Sequence, residues 1–126
     1  MSIDIYAPGE ERLIVHRRAP TPITIVIKPE GQPLDLSGTV VGITLTGLAG
    51  GETLRLTTAT PPPATVDDRR SYLALLPDRI GGIEFKLSAA DAARVRPGRD
   101  GRYRLWLAAE GGEHPIASGQ IEGRDA

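Results

Sequence analysis

Gly101-Arg102-Tyr103-Arg104-Leu105-Trp106-Leu107 is the stretch that decides the fold. Tyr103, Leu105 and Leu107 fall on alternate positions, with Arg102, Arg104 and Trp106 between them. Successive side chains of a strand point to opposite faces, so this segment reads as a strand with one apolar face. A helix would spread the same residues around its whole circumference.

The same period of two recurs on both sides. Downstream, Gly111-Gly112 reads as a hairpin turn into a strand from His114 to Glu122. Upstream, Ile83, Phe85 and Leu87 make one apolar stripe, and Val41, Ile43 and Leu45 make a second within Thr39 to Thr46. Ile23, Ile25 and Ile27 make a third. Weaker alternation marks Arg12 to Arg18, Leu54 with Leu56, and Ser71 to Leu76. The one expected helix is short, Ser88 to Val95. Ser88 and Asp91 have capping-box spacing, Arg94 and Arg96 suit the negative end of the dipole, and Pro97-Gly98 stops it. Pro61-Pro62-Pro63 donates no backbone hydrogen bonds and marks a loop or sheet edge, with Asp67 to Arg70 at its tip. The expectation is all-β: an antiparallel β-sandwich of about seven to eight strands with one helical turn near 88–95. The sandwich spans residues 12–122, between an N-terminal arm (1–11) and a C-terminal tail (123–126).

Composition fits and excludes. The 126 residues suit one domain, large enough to bury a core without staples. Gly and Pro together supply 26 positions (15 and 11), which suits short strands and many turns. With no cysteine, disulfide scaffolds, cysteine-rich zinc sites and thiol catalysis are ruled out. Lys+Arg number 15 and Asp+Glu 16, so the net charge of −1 gives no overall pull to nucleic acid or anionic membrane. No apolar run reaches the roughly 18 residues that span a bilayer, and Met1 to Ile5 lacks a signal-peptide pattern.

The residues that could build an active site read as turns and edges. His16 and His114 have no partners at metal-ligand spacing and are expected at the surface. Ser37 and Ser118 lack the strand-to-helix elbow of a serine nucleophile. Asp67-Asp68, followed by two arginines, reads as a solvated turn rather than an opposed carboxylate pair. The expectation is therefore no enzyme, no catalytic residue, no metal and no cofactor.

The candidate sites are surfaces. If Tyr103 and Leu105 face the core, Trp106 stands outside between Arg102 and Arg104. Trp and Arg are enriched at protein–protein hot spots, so the trio is a candidate interface. The alternative is that Trp106 covers its own sheet and stacks on an arginine. Arg17 and Arg18, with Arg12, form a second basic cluster near the N-terminus, a candidate contact or a solvated edge. A carbohydrate- or ligand-binding module is the alternative function. It needs several clustered aromatics, and only Tyr6, Tyr72, Phe85, Tyr103 and Trp106 exist.

Three stretches in order resemble a known group: Leu34-Asp35-Leu36-Ser37-Gly38 before a strand, Gly82 to Asp91 running into the helix, and Pro97-Gly98 to Leu107. The chain resembles, over roughly residues 22–122, the small Ig-like domains of tailed bacteriophages and prophages, including the N-terminal domains of upper-baseplate proteins. The resemblance implies an Ig-like antiparallel β-sandwich in a structural component of a virion, in the tail, baseplate, neck or a fibre attachment. It implies other virion proteins as partners, a homo-oligomer in the particle, and assembly in the host bacterial cytoplasm, with no nucleic acid or membrane bound. The matched positions carry fold-holding roles: Asp35 and Gly38 a turn, Ser88 and Asp91 the helix start, and Tyr103 a tyrosine-corner anchor. The sequence stops about four residues after its last expected strand, without the long continuation of upper-baseplate proteins, which favours an adaptor or decoration module.

Overall fold

The apolar stripes become the inner faces of two sheets. The structure, a computed structural model, describes residues 2–5, 12–28, 36, 38–59, 69–76, 78–109 and 112–125. In chain order its elements are β1 (Ser2–Ile5), β2 (Leu13–His16), β3 (Thr21–Ile27), β4 (Val40–Thr46), a 3-10 turn (Ala49–Gly51), β5 (Leu54–Thr57), β6 (Tyr72–Leu75), β7 (Gly82–Leu87), α1 (Ala89–Arg94), β8 (Gly98–Ala109) and β9 (Gly112–Arg124). One sheet has the order β1-β3-β7-β6 and the other β2-β9-β8-β4-β5.

Register explains the core. Ile23 lies opposite Phe85 and Ile25 opposite Ile83, while Leu73 also meets Phe85. On the other sheet Ile43 pairs with Leu105, Leu45 with Tyr103, and Leu13 with Ile121. All of these are buried in one cluster, closed off by Leu36, Leu48, Ala92 and Val95. The period-two reading therefore holds where one face is wholly apolar, because a one-residue slip would turn the whole stripe to water.

Two expected boundaries are corrected. Ser2–Ile5, inside the expected arm, form β1, paired in parallel with β3 from Ser2↔Thr24 to Ile5↔Ile27. An edge position needs hydrogen bonding on one side only, so four residues suffice. Gly123 and Arg124, assigned to the tail, extend β9, where Arg124 pairs with His16. The β2–β9 ladder is also parallel, so the sandwich is antiparallel except at these two edges.

The β8–β9 ladder breaks register between Leu105 and Trp106, since Leu105 pairs with Ala117 but Trp106 with Pro115. Ile116 is the extra residue, and both it and Ala117 turn into the core. Such a bulge increases local twist, and it lies beside the only tryptophan.

Candidate interaction face

The outer face of the five-stranded sheet carries the residues the sequence singled out. Trp106 lies there, opposite Gly42 of β4, but does not protrude: it is 2% exposed. The indole lies flat over Gly42. A Cβ at that glycine would fall well under 3.0 Å from Cζ2, Cε2 and Cη2 of the ring. Indole Nε1 donates to Thr44 Oγ1 at 3.2 Å. The Arg55 guanidinium covers the other side, with Cζ 4.3 Å from the ring centroid, and is ion-paired with Glu113. A side chain that buried within its own chain has almost no surface left for a partner. The expected interface anchor is corrected to the covered, arginine-stacked arrangement.

Arg102 and Arg104 do project as expected, and both are exposed. Their cross-strand neighbours are Thr46 and Gln120 for Arg102, and Thr44 and Ser118 for Arg104. Among the described residues neither has an ion pair.

Further along the sheet, Glu122 of β9 is a hub that the sequence did not reveal. Its Oε1 accepts from Arg99 Nε at 3.0 Å and from Arg12 Nη1 at 3.3 Å, and its Oε2 from Arg124 Nε at 2.6 Å. The bonds from Arg99 and then Arg124 hold this carboxyl below the ordinary carboxylate range, against the opposing effect of its burial. Next to this hub, Arg12, Arg102, Ser118, Gly119 and Gln120 line an open cleft of about 270 Å³. Arg12 and Arg99 lie 110 and 23 residues from Glu122 in sequence, so only the register of β2, β8 and β9 brings them together.

The second basic cluster divides. Arg17 turns inward, donating from Nε to Val95 O at 2.6 Å and from Nη2 to Ala93 O at 3.3 Å, with an ion pair to Asp125. The last carbonyls of a helix lack internal partners, and Arg17 supplies donors to two at the end of α1. These bonds give Arg17 a structural role at the end of α1. Arg18 is exposed.

The helix start is a three-residue network rather than a reciprocal box. Ser88 Oγ accepts from Asp91 N at 3.1 Å, as expected. The return bond goes elsewhere: Ser88 N donates to Ser71 Oγ at 2.9 Å, and Ser71 Oγ donates to Asp91 Oδ2. Ser71 lies just before β6, 17 residues away, so local spacing gave no sign of it. Asp91 also accepts from Arg94 Nη1 at 3.1 Å.

Tyr103 is buried on the inner face at 2% exposure. Gly38 has φ 72° in a turn closed by Thr39 N donating to Leu36 O at 3.0 Å, a conformation that favours glycine. Asp35, Asp67-Asp68 and Tyr6 lie outside the described residues. His16 and His114 are exposed, on β2 and β9. Among the described residues no group of three or more His, Asp or Glu could hold a metal ion. No helix among them is long and apolar enough to cross a membrane. A second cleft, about 250 Å³, lies between β5 and β6, lined in part by Arg55, Arg70, Ser71 and Tyr72. Tyr72 Oη donates to Glu84 Oε1 at 2.9 Å. Burial first, and then this acidic neighbour, push its hydroxyl up to about 12.

No protein-family model and no curated protein matches the sequence. Among solved structures, the chain is similar to the N-terminal domain of phage TP901-1 ORF48, with a TM-score of 0.53 and 16% identity over 98% of this chain and 99% of that one. The likeness covers the whole sandwich, so the sequence resemblance to phage Ig-like domains is met at the level of the fold.

Proposed function

We propose that this chain is a non-enzymatic structural module of a tailed-phage or phage-derived particle. It acts in the tail, baseplate, neck or a fibre attachment, as an adaptor or decoration module, through contacts with other virion proteins. The observation that carries this reading is the end-to-end likeness to a phage N-terminal domain, 98% of one chain on 99% of the other. A shared fold alone does not fix function. The motif order from Asp35 to Leu107 is a separate sequence observation that favours the same group. A homo-oligomer in the particle and assembly in the bacterial cytoplasm belong to the same proposal.

The carbohydrate- or ligand-binding alternative is less well supported. Phe85, Tyr103 and Trp106 are all buried, which leaves Tyr72 as the one half-exposed aromatic among the described residues. A glycan platform needs more.

The test is quantitative mass spectrometry of purified particles from a producing culture. The reading expects peptides of this chain at a fixed ratio to the major tail or head protein, unchanged through a second density gradient. Loss of those peptides on the second gradient contradicts it.

A further inference from the structure

Six arginines, Arg12, Arg55, Arg99, Arg102, Arg104 and Arg124, share the outer face of the five-stranded sheet with two carboxylates, Glu122 at its hub and Glu113 paired with Arg55. Even with Asp100, next to Arg99 in the irregular start of β8, the arginines outnumber the acids by six to three. The whole chain carries a net charge of −1, so the excess is local.

The donors on this face are largely unspent. A guanidinium offers five N–H groups, whereas Glu122 takes one bond each from Arg12, Arg99 and Arg124. Arg102 and Arg104 contribute whole forks. Between Arg12 and Arg102 lies the 270 Å³ cleft, floored by Ser118 to Gln120 with a hydroxyl and an amide to complete a hydrogen-bonded seat. Arginine forks fit carboxylates bidentately, and Glu122 shows that this face already holds one carboxylate, by single bonds from three arginines. The hub also holds Arg12, Arg99 and Arg124 in register, which lowers the entropy lost when a partner binds.

We infer that this face docks an acidic segment of a partner protein, with one carboxylate seated in the Arg12–Arg102 cleft and neighbouring acids on Arg104 and the Glu122 hub. This deepens the proposed structural role and rests on it. A protein carboxylate is favoured over a nucleic acid because the one aromatic on this face, Trp106, is sealed under Arg55 and offers no stacking platform.

The first test titrates the full chain, followed by amide NMR, with a ten-residue Glu-Ser repeat peptide, a Gln-Ser repeat and a ten-base oligothymidine. The expected shifts cluster at Arg12, Arg99 to Arg104 and Ser118 to Arg124 with the acidic peptide. Affinity falls at least about tenfold in Arg102→Gln/Arg104→Gln and not in Arg79→Gln, an exposed arginine on another surface. Equal affinity of the double variant, shifts scattered over other arginines, or oligothymidine binding this face as tightly as the peptide overturns the inference. Incorporation into particles separates the two claims. If the wild-type chain enters particles and the double variant enters equally well, this docking face is wrong while the structural role stands. If the wild-type chain is not a particle component, the structural role fails.

Discussion

Replacing Gly42 with alanine should damage the outer face of the sandwich without touching the core. The added methyl would occupy space held by the Trp106 ring, well under 3.0 Å from three of its atoms. Gly42 is not at positive φ, so the substitution carries no backbone strain and its cost is steric. The indole must tilt off the sheet, losing the 3.2 Å bond to Thr44 and the 4.3 Å stack on Arg55. A hydrogen bond is worth about 1 kcal/mol and a stack at a partly exposed site about 0.5–1 kcal/mol. A buried aromatic covers about 150–250 Å², about 4–6 kcal/mol at roughly 25 cal/mol/Å², and a tilt re-exposes a fraction of this. The expected destabilisation is about 2–4 kcal/mol. Trp106→Ala alone costs about 3–5 kcal/mol as a large-to-small change. The double variant should cost no more than Trp106→Ala, because the clash disappears with the ring. Urea unfolding followed by far-UV circular dichroism measures all three, and the single tryptophan reports the tilt as a red shift in Gly42→Ala. An additive cycle, or an unshifted emission with a loss below about 0.5 kcal/mol, would refute the reasoning.

Three further outcomes are expected. Ser71→Ala leaves the Ser88 amide without its acceptor and Asp91 Oδ2 without its donor, so stability falls by about 1–2 kcal/mol and Ser88 exchanges its amide hydrogen faster. Arg17→Met keeps the aliphatic stem but removes the donors to Ala93 and Val95; a loss of about 1.5–3 kcal/mol in urea, with faster exchange in α1, is expected. Glu122 has a folded-state pKa below its unfolded value, so its contribution is complete above the ordinary value of about 4.3 and fades as pH falls through the lowered one. Stability of the wild type should therefore drop more steeply below about pH 4 than that of Glu122→Gln, as measured by urea midpoints across pH.

Much of the fold was legible because its information is local. Ile23-Thr24-Ile25-Val26-Ile27 and Gly101 to Leu107 each declare a buried face by alternation, and Ser88 declares a helix start by its spacing to Asp91. β1 was missed although Ile3 and Ile5 alternate, since four residues at an edge owe their strand to pairing with β3 rather than to their own pattern. The candidate face was half legible. Arg102 and Arg104 follow from the period of two, whereas the fate of Trp106 depends on a glycine in another strand, which alternation within β8 cannot reveal. Arg17 and Arg18 look alike in sequence, and only the position of the α1 C-terminus separates them. Glu122 reads as one more surface acid until the β2–β9 and β8–β9 ladders bring Arg12 and Arg99 onto it, beside Arg124 of its own strand.

The most direct test of the account is arginine footprinting with phenylglyoxal, applied to the free chain and to the chain within purified particles. The account expects Arg102 and Arg104 to react readily in the free chain, since both are exposed, and to be protected at least about tenfold in the particle, with Arg79 reacting alike in both states. Equal reactivity of Arg102 and Arg104 in the two states, or their protection no greater than that of Arg79, would contradict it.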